Sequence, residues 1–242
     1  MKLRRFLAIV LLITLGIIRS SLVHAEFGNF LKGIKKTVEG EELSESKITQ
    51  GLKEALQIGT SNAVKTVSEV DGYYKNPKIR IPLPNAVQKV EKVLRTVGYG
   101  PQVDTFELSM NRAAEQAAPE AKSLFLDAIK QMTFSDARKI LQGQDNEATL
   151  YFKDKTYNPL HDIFKPIVHT AMSEVGVTRT YQELEAKARS MPLTERWSLN
   201  LDDYVTDKAL DGLFLMVAEE EQKIRQDPAA RVTDLLKEVF SR

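Results

Sequence analysis

The chain has 242 residues, 34 lysines and arginines against 33 aspartates and glutamates, three histidines and no cysteine. The absence of cysteine excludes disulfide staples, thiol chemistry and cysteine metal sites. The near-balance of charge leaves no basic excess with which to release counterions from a nucleic acid, so no nucleic-acid partner is expected.

The first element reads as a targeting segment. A basic start with Lys2, Arg4 and Arg5 leads into an apolar run from Phe6 to Ile18, and Val23-His24-Ala25 follows. That order is a secretory signal peptide, residues 1–25, cut after Ala25. The run of about 13 residues falls short of the roughly 20 that cross a bilayer, so no membrane span is expected after cleavage. Cleavage takes four basic residues (Lys2, Arg4, Arg5, Arg19) and no acidic one, and acidic residues then outnumber basic ones by three. Export without disulfides favours a bacterial envelope, hence a periplasmic or secreted protein.

Residues 26–45 form a loose, glycine-containing leader. Residues 46–242 read as a single helical domain. Ser46 has the character of an N-cap, and Ile48, Leu52, Ala55, Ala63, Val64 and Val67 follow at helical spacing, with Gly51 and Gly59 letting another backbone come close. Residues 71–87, "DGYYKNPKIRIPLPNAV", break the pattern with Asp-Gly, Asn-Pro and two further prolines. Residues before proline are driven extended, which predicts an irregular, semi-rigid connection. Asn85 reads as the cap of a helix bearing Val87, Val90, Val93, Leu94 and Val97, ended by Gly98.

Asp104 or Thr105 is placed to start the next helix. Pro119 suits the first turn of another, running to about Met132. "TFSDARKILQG" reads as cap, short helix and Gly143 stop, and Asp145 or Asn146 as the cap of "EATLYFK". Thr156 leads a further segment with Pro159 in its first turn and a kink expected at Pro166. "GVTRTYQELEAKARS" is helical, "MPLTERW" is a loop holding Trp197, residues 201–226 contain a turn and a long amphipathic helix, and 227–242 is a last helix capped by Asp227. No alternating strand of useful length stands out. The expected fold is all-α: a single multi-helix bundle of roughly eight to ten helices with short loops.

Motifs for chemistry are sparse. After cleavage the histidines are His161 and His169, eight apart; on a straight helix they are rotated by about 80°, with Pro166 between them. That is no zinc triad, and no metal or cofactor is expected. No GxSxG, P-loop or GxGxxG is present. In 104–118, Phe106, Met110, Ala113, Ala114, Ala117 and Ala118 share one face, and Asn111 and Glu115 lie on its border with Arg112 within reach of Glu115. In 207–226, Leu210, Leu213, Phe214, Val217 and Ile224 form a stripe, and Glu221 falls inside it. A carboxylate there needs a cation; Arg225 is four residues on and Arg112 is a long-range candidate. Asn111, Arg112, Glu115, Glu221 and Arg225 are therefore a candidate cleft or polar network. Tyr73 and Tyr74, beside Lys75, Lys78 and Arg80, are a candidate loop contact. None of these is assigned a catalytic role.

The stretches "GLKEALQIGTSNAV", "DGYYKNPKIRIPLP", "MNRAAEQAAPEAK", "DAIKQMTFSDARKILQGQDNEAT", "ALDGLFLMVAEEEQKIRQDP" and "LLKEVF" resemble, in order over 44–242, the bacterial exported family known as domain of unknown function 4197. The resemblance implies a helical domain after a signal peptide or lipid anchor, and carries over no activity and no catalytic residue. Three functions remain open. The leading one is a non-enzymatic binding or interaction module with an envelope protein, glycan or lipid partner. The others are a hydrolase or lyase using Glu115 or Glu221 with Arg112, and a carrier of an apolar ligand between helices.

Overall fold

A computed structural model describes residues 45–174, Arg179, Gln182, Glu183, Ala186, and 200–226. The leader segments 1–45, the loop with Trp197 and the helix expected over 227–242 lie outside the described residues, apart from Glu45 itself.

The described residues are mostly helical, with no strand, as the sequence leads one to expect. Among the described residues there are seven α-helices: α1 Glu45–Ser68, α2 Asn85–Leu94, α3 Gly100–Ala117, α4 Ala121–Gln131, α5 Phe134–Gln142, α6 Glu147–Glu174 and α7 Leu201–Gln226; of the eight to ten expected, those over 176–190 and 227–242 fall largely or wholly outside the described residues. Within the described residues two expected breaks do not occur. Thr156 starts no helix: its hydroxyl donates to the Phe152 carbonyl at 2.7 Å in mid-α6. α6 runs unbroken through Pro159 and Pro166. Both prolines are solvent-exposed, so the carbonyls of Lys155 and Asp162, which lose their i+4 donors, face water rather than core. Residues 201–226 are likewise one helix with no turn inside it.

Helix ends follow local chemistry in most places. Gly98 sits at φ 94°, the left-handed conformation of the kink that separates α2 from α3. Thr133 caps α5 with a full capping box, accepting from Asp136 N at 3.1 Å and giving its own N–H to Asp136 Oδ2 at 2.9 Å. Two starts differ from expectation. α3 begins at Gly100, ahead of Asp104, because Pro101 is pre-set for a first turn. Asn85 is the first residue of α2, and Pro84 occupies the cap position without a side-chain bond.

The core is continuous and dense. α6 packs most extensively on α7 and α3, and α1 on α7 and α4. Phe125 of α4 meets Phe152 of α6 edge-on at 5.2 Å and Phe214 of α7 at 6.0 Å, so one aromatic cluster ties three helices. Ala113, Ala114 and Ala117 are fully buried, and their small size lets neighbours close on α3. Val87, Val90 and Leu94 make the buried face of α2, while Val93 and Val97 are about half exposed, at 47% and 49%. The expected five-residue stripe is thus three residues wide, the other two lying on the outer side.

Residues 69–84 form the expected irregular connection, and it is a strap laid on the core. Tyr73 and Ile81 are fully buried and Ile79 and Leu83 nearly so. Gly212 of α7 makes room for it: a Cβ there would lie 2.7 Å from Tyr73 Cε1 and 3.1 Å from Ile79 Cβ. Gly212→Ala gains about 1 kcal/mol of helix propensity but overpacks a pinned ring, at about 1–3 kcal/mol. The expected outcome of thermal denaturation is a lower melting temperature for Gly212→Ala; an unchanged or raised one contradicts the close strap–helix contact.

Candidate functional site

The flagged polar residues fall into two groups that share no member. In the first, α3 holds the strap. Asn111 is fully buried, and its amide pairs with the backbone of Ile81 in both directions: Oδ1 accepts from Ile81 N at 2.8 Å and Nδ2 donates to Ile81 O at 2.9 Å. A side chain here imitates a neighbouring strand. Nδ2 also donates to the Glu107 carbonyl at 2.8 Å, which completes its donor capacity. One turn on, Glu115 is 5% exposed and accepts at Oε1 from the successive N–H groups of Tyr73 and Tyr74, at 3.1 and 3.3 Å. Its Oε2 takes Arg112 at 2.5 Å, and Arg112 reaches on to Asp71 at 2.6 Å. The expected border position for Asn111 and Glu115 is therefore corrected: the strap covers that border and buries both.

Asp71 closes the first group. It stands at φ 72°, in the left-handed region that Asp tolerates better than most side chains. Its hydrogen bonds to Lys75 and then to Arg112 hold its carboxyl below the ordinary value. Tyr73, offered by the sequence as a loop contact for a ligand, instead points inward. Its hydroxyl donates to the Ala209 carbonyl at 2.7 Å, and burial first, the Glu115 charge second, push its ionisation far up. Tyr74 is half-buried beneath the Arg80 guanidinium, 4.5 Å from the ring centroid, and Arg80 forks onto Glu107 at 3.0 and 2.8 Å.

The second group sits at the corner between α5 and α6. Glu221 is 5% exposed. Its Oε1 accepts from Ala148 N at 3.0 Å, and its Oε2 from Thr149 N at 2.9 Å and from Thr149 Oγ1 at 2.8 Å. These are first-turn N–H groups of α6, which have no partner inside their own helix. Glu221 is thus an N-terminal cap supplied from another helix, with its charge at the positive end of the α6 dipole. Arg225, one turn further along α7, donates to Glu221 Oε1 at 3.1 Å from Nε and 2.8 Å from Nη2. Nη2 also reaches the Ile140 carbonyl at 2.8 Å, one of the last-turn acceptors of α5. Arg112, the long-range candidate for Glu221, is not its partner. Beside Glu221 remains a void of only about 10 Å³, bordered by Leu52, Leu56, Ile140 and Ile224 among others. That is room for one water at most.

The histidines lie apart on the α6–α7 seam. His169 Nδ1 is 2.8 Å from Asp202, and His161 Nε2 is 3.6 Å from Asp207 and 4.0 Å from Asp203. Among the described residues no group of three or more His, Asp or Glu is arranged to hold a metal, and no helix is long and apolar enough to cross a membrane.

Helical spacing of i,i+3 and i,i+4 links Glu115 to Arg112 and Glu221 to Arg225 in the sequence, but nothing in that spacing points to Asp71, Ile81, Ala148 or Thr149. For Asp71 the Asp-Gly pair was a usable turn signal; the other three contribute mainly backbone, which leaves no mark in a sequence.

A family model for a protein of unknown function, DUF4197, matches residues 42–241, and the chain belongs to that family. Comparison with curated proteins and with solved structures returns no match.

Two outcomes follow for stability. Asn111→Ala strands the N–H and C=O of Ile81 in the core and should cost about 2–4 kcal/mol, read from urea unfolding. Asp71 has a folded-state pKa below its unfolded one, so its stabilisation is present above the unfolded value near 4 and is lost as pH falls through the folded value. Asp71→Asn should therefore lower the urea midpoint at pH 6 and flatten its fall between about pH 4 and pH 2. A parallel fall in both proteins counts against the Lys75–Asp71–Arg112 link.

Proposed function

We propose that the chain is an exported envelope protein and that its helical body is a binding or interaction module that turns over no substrate. The observation that carries the second half is the commitment of its two buried carboxylates. Glu115 spends its oxygens on two backbone N–H groups and a guanidinium. Glu221 spends its own on two backbone N–H groups, a hydroxyl and a guanidinium. A general acid, base or nucleophile needs an oxygen free to meet substrate. Carboxylates engaged in this way support a role in holding backbone, and they weaken the reading of a hydrolase or lyase built on Glu115 or Glu221 with Arg112. A void of about 10 Å³ beside Glu221 supports the same side. The apolar-carrier reading draws no support from the one aromatic cluster, whose rings pack against each other at 5.2 and 6.0 Å.

Export rests on the basic start, the apolar run from Phe6 to Ile18, and Val23-His24-Ala25. Expression of the full chain in a Gram-negative host, with mass spectrometry of the product, should give a periplasmic protein starting at Glu26. A cytoplasmic product retaining the apolar run overturns export. The purified protein should release nothing from peptidoglycan fragments or phospholipids. Turnover that disappears in a folded Glu115→Gln or Glu221→Gln variant overturns the non-enzymatic reading.

A further inference from the structure

A cleft of about 320 Å³ opens between α5 and the start of α6, lined by Asp136, Lys139, Ile140, Glu147, Leu150, Tyr151, Asp154 and Lys155. Neither buried carboxylate lines it. Its volume is at the lower end of ligand-binding cavities, about 300–1,000 Å³, which suits a molecule of amino-acid or dipeptide size.

The charges around it differ in how firmly they are held. Glu147 is held: its side chain is 15% exposed and lies over Gly143, where a Cβ would come within 2.4 Å of Glu147 Cγ. Asp136 is held by the capping box with Thr133. The lysines are solvent-exposed. Lys139 Nζ is 3.3 Å from Glu147 and Lys155 Nζ is 3.2 Å from Asp154, but their side chains are 77% and 53% exposed. Such surface pairs are weak and exchange partners at little cost. Leu150 is 47% exposed, an apolar wall left in water beside the charged groups.

A simple anion would meet three carboxylates in this cleft, and a simple cation two ammonium groups. A zwitterion satisfies both: its ammonium meets the fixed carboxylates, its carboxylate draws in the exposed lysines, and a small side chain covers Leu150. We propose that the cleft between α5 and α6 binds an α-amino acid or short peptide through its free ammonium and carboxylate ends. The proposal rests on the binding-module reading and gives it a ligand class.

The test is a titration of the ¹⁵N-labelled full chain with Ala-Ala, N-acetyl-Ala-Ala and Ala-Ala-amide, followed by amide shifts. Ala-Ala should give saturable shifts at Leu150 and Tyr151, and blocking either end should weaken binding roughly tenfold, the loss of one charged contact. Glu147→Gln and Lys139→Met should weaken it similarly while leaving the rest of the spectrum in place. No saturable shift at millimolar Ala-Ala, equal binding of the blocked peptides, or full binding by both variants overturns the proposal. Free alanine appearing in the sample would instead overturn the non-enzymatic reading and leave the cleft standing.

Discussion

Glu221 and Arg225 stand one turn apart on α7 and hold two helix ends at once. The carboxylate takes the first-turn N–H groups of α6, and the guanidinium takes a last-turn carbonyl of α5. Each charge matches the dipole of the helix end it touches, and each neutralises the other. Burying one of them alone would be costly, so the pair is a condition for the dense packing around it. α6 supplies Phe152, Leu160, Phe164, Val168 and Met172 to the core, and its start is fixed from α7.

The strap is held on the same principle. Its backbone pairs with itself only in local turns, such as Lys75 N to Asp71 O and Arg80 N to Asn76 O, and these leave the N–H groups of Tyr73, Tyr74 and Ile81 to find partners elsewhere. Side chains of the helices beneath supply the missing partners: Asn111 for Ile81, Glu115 for Tyr73 and Tyr74, and Tyr204, whose hydroxyl reaches the Pro82 carbonyl at 2.9 Å. The buried side chains Asn111, Glu115 and Glu221 therefore answer backbone demand. The groups left to meet a ligand are those that face solvent, such as the charged side chains around the α5–α6 cleft.

How far the sequence reveals this depends on the kind of partner. Phase alone places Glu221 inside the apolar stripe of α7, and spacing names Arg225. The kink at Gly98 and the helix start at Thr133 follow from residue-specific chemistry. Where the partner is backbone, as at Ala148 or Ile81, no residue type marks it. Asn111 and Glu115 therefore read as a border when they are an interior. Thr156 misleads for a related reason: with Pro159 three residues on it has the look of a helix start, but its hydroxyl bonds back to the Phe152 carbonyl inside a helix already running. The match to a family of unknown function over residues 42–241 agrees with the resemblance carried by the motifs and adds no chemistry.

The central claim is that the flagged carboxylates hold backbone. Hydrogen exchange at the amides of Ala148 and Thr149, in the native protein and in Glu221→Ala, tests it most directly. The account predicts strong protection of both amides in the native protein and its loss in the variant, with the amides of mid-α6 still protected. Fast exchange of these two amides in the native protein, or protection that survives removal of Glu221, would contradict it.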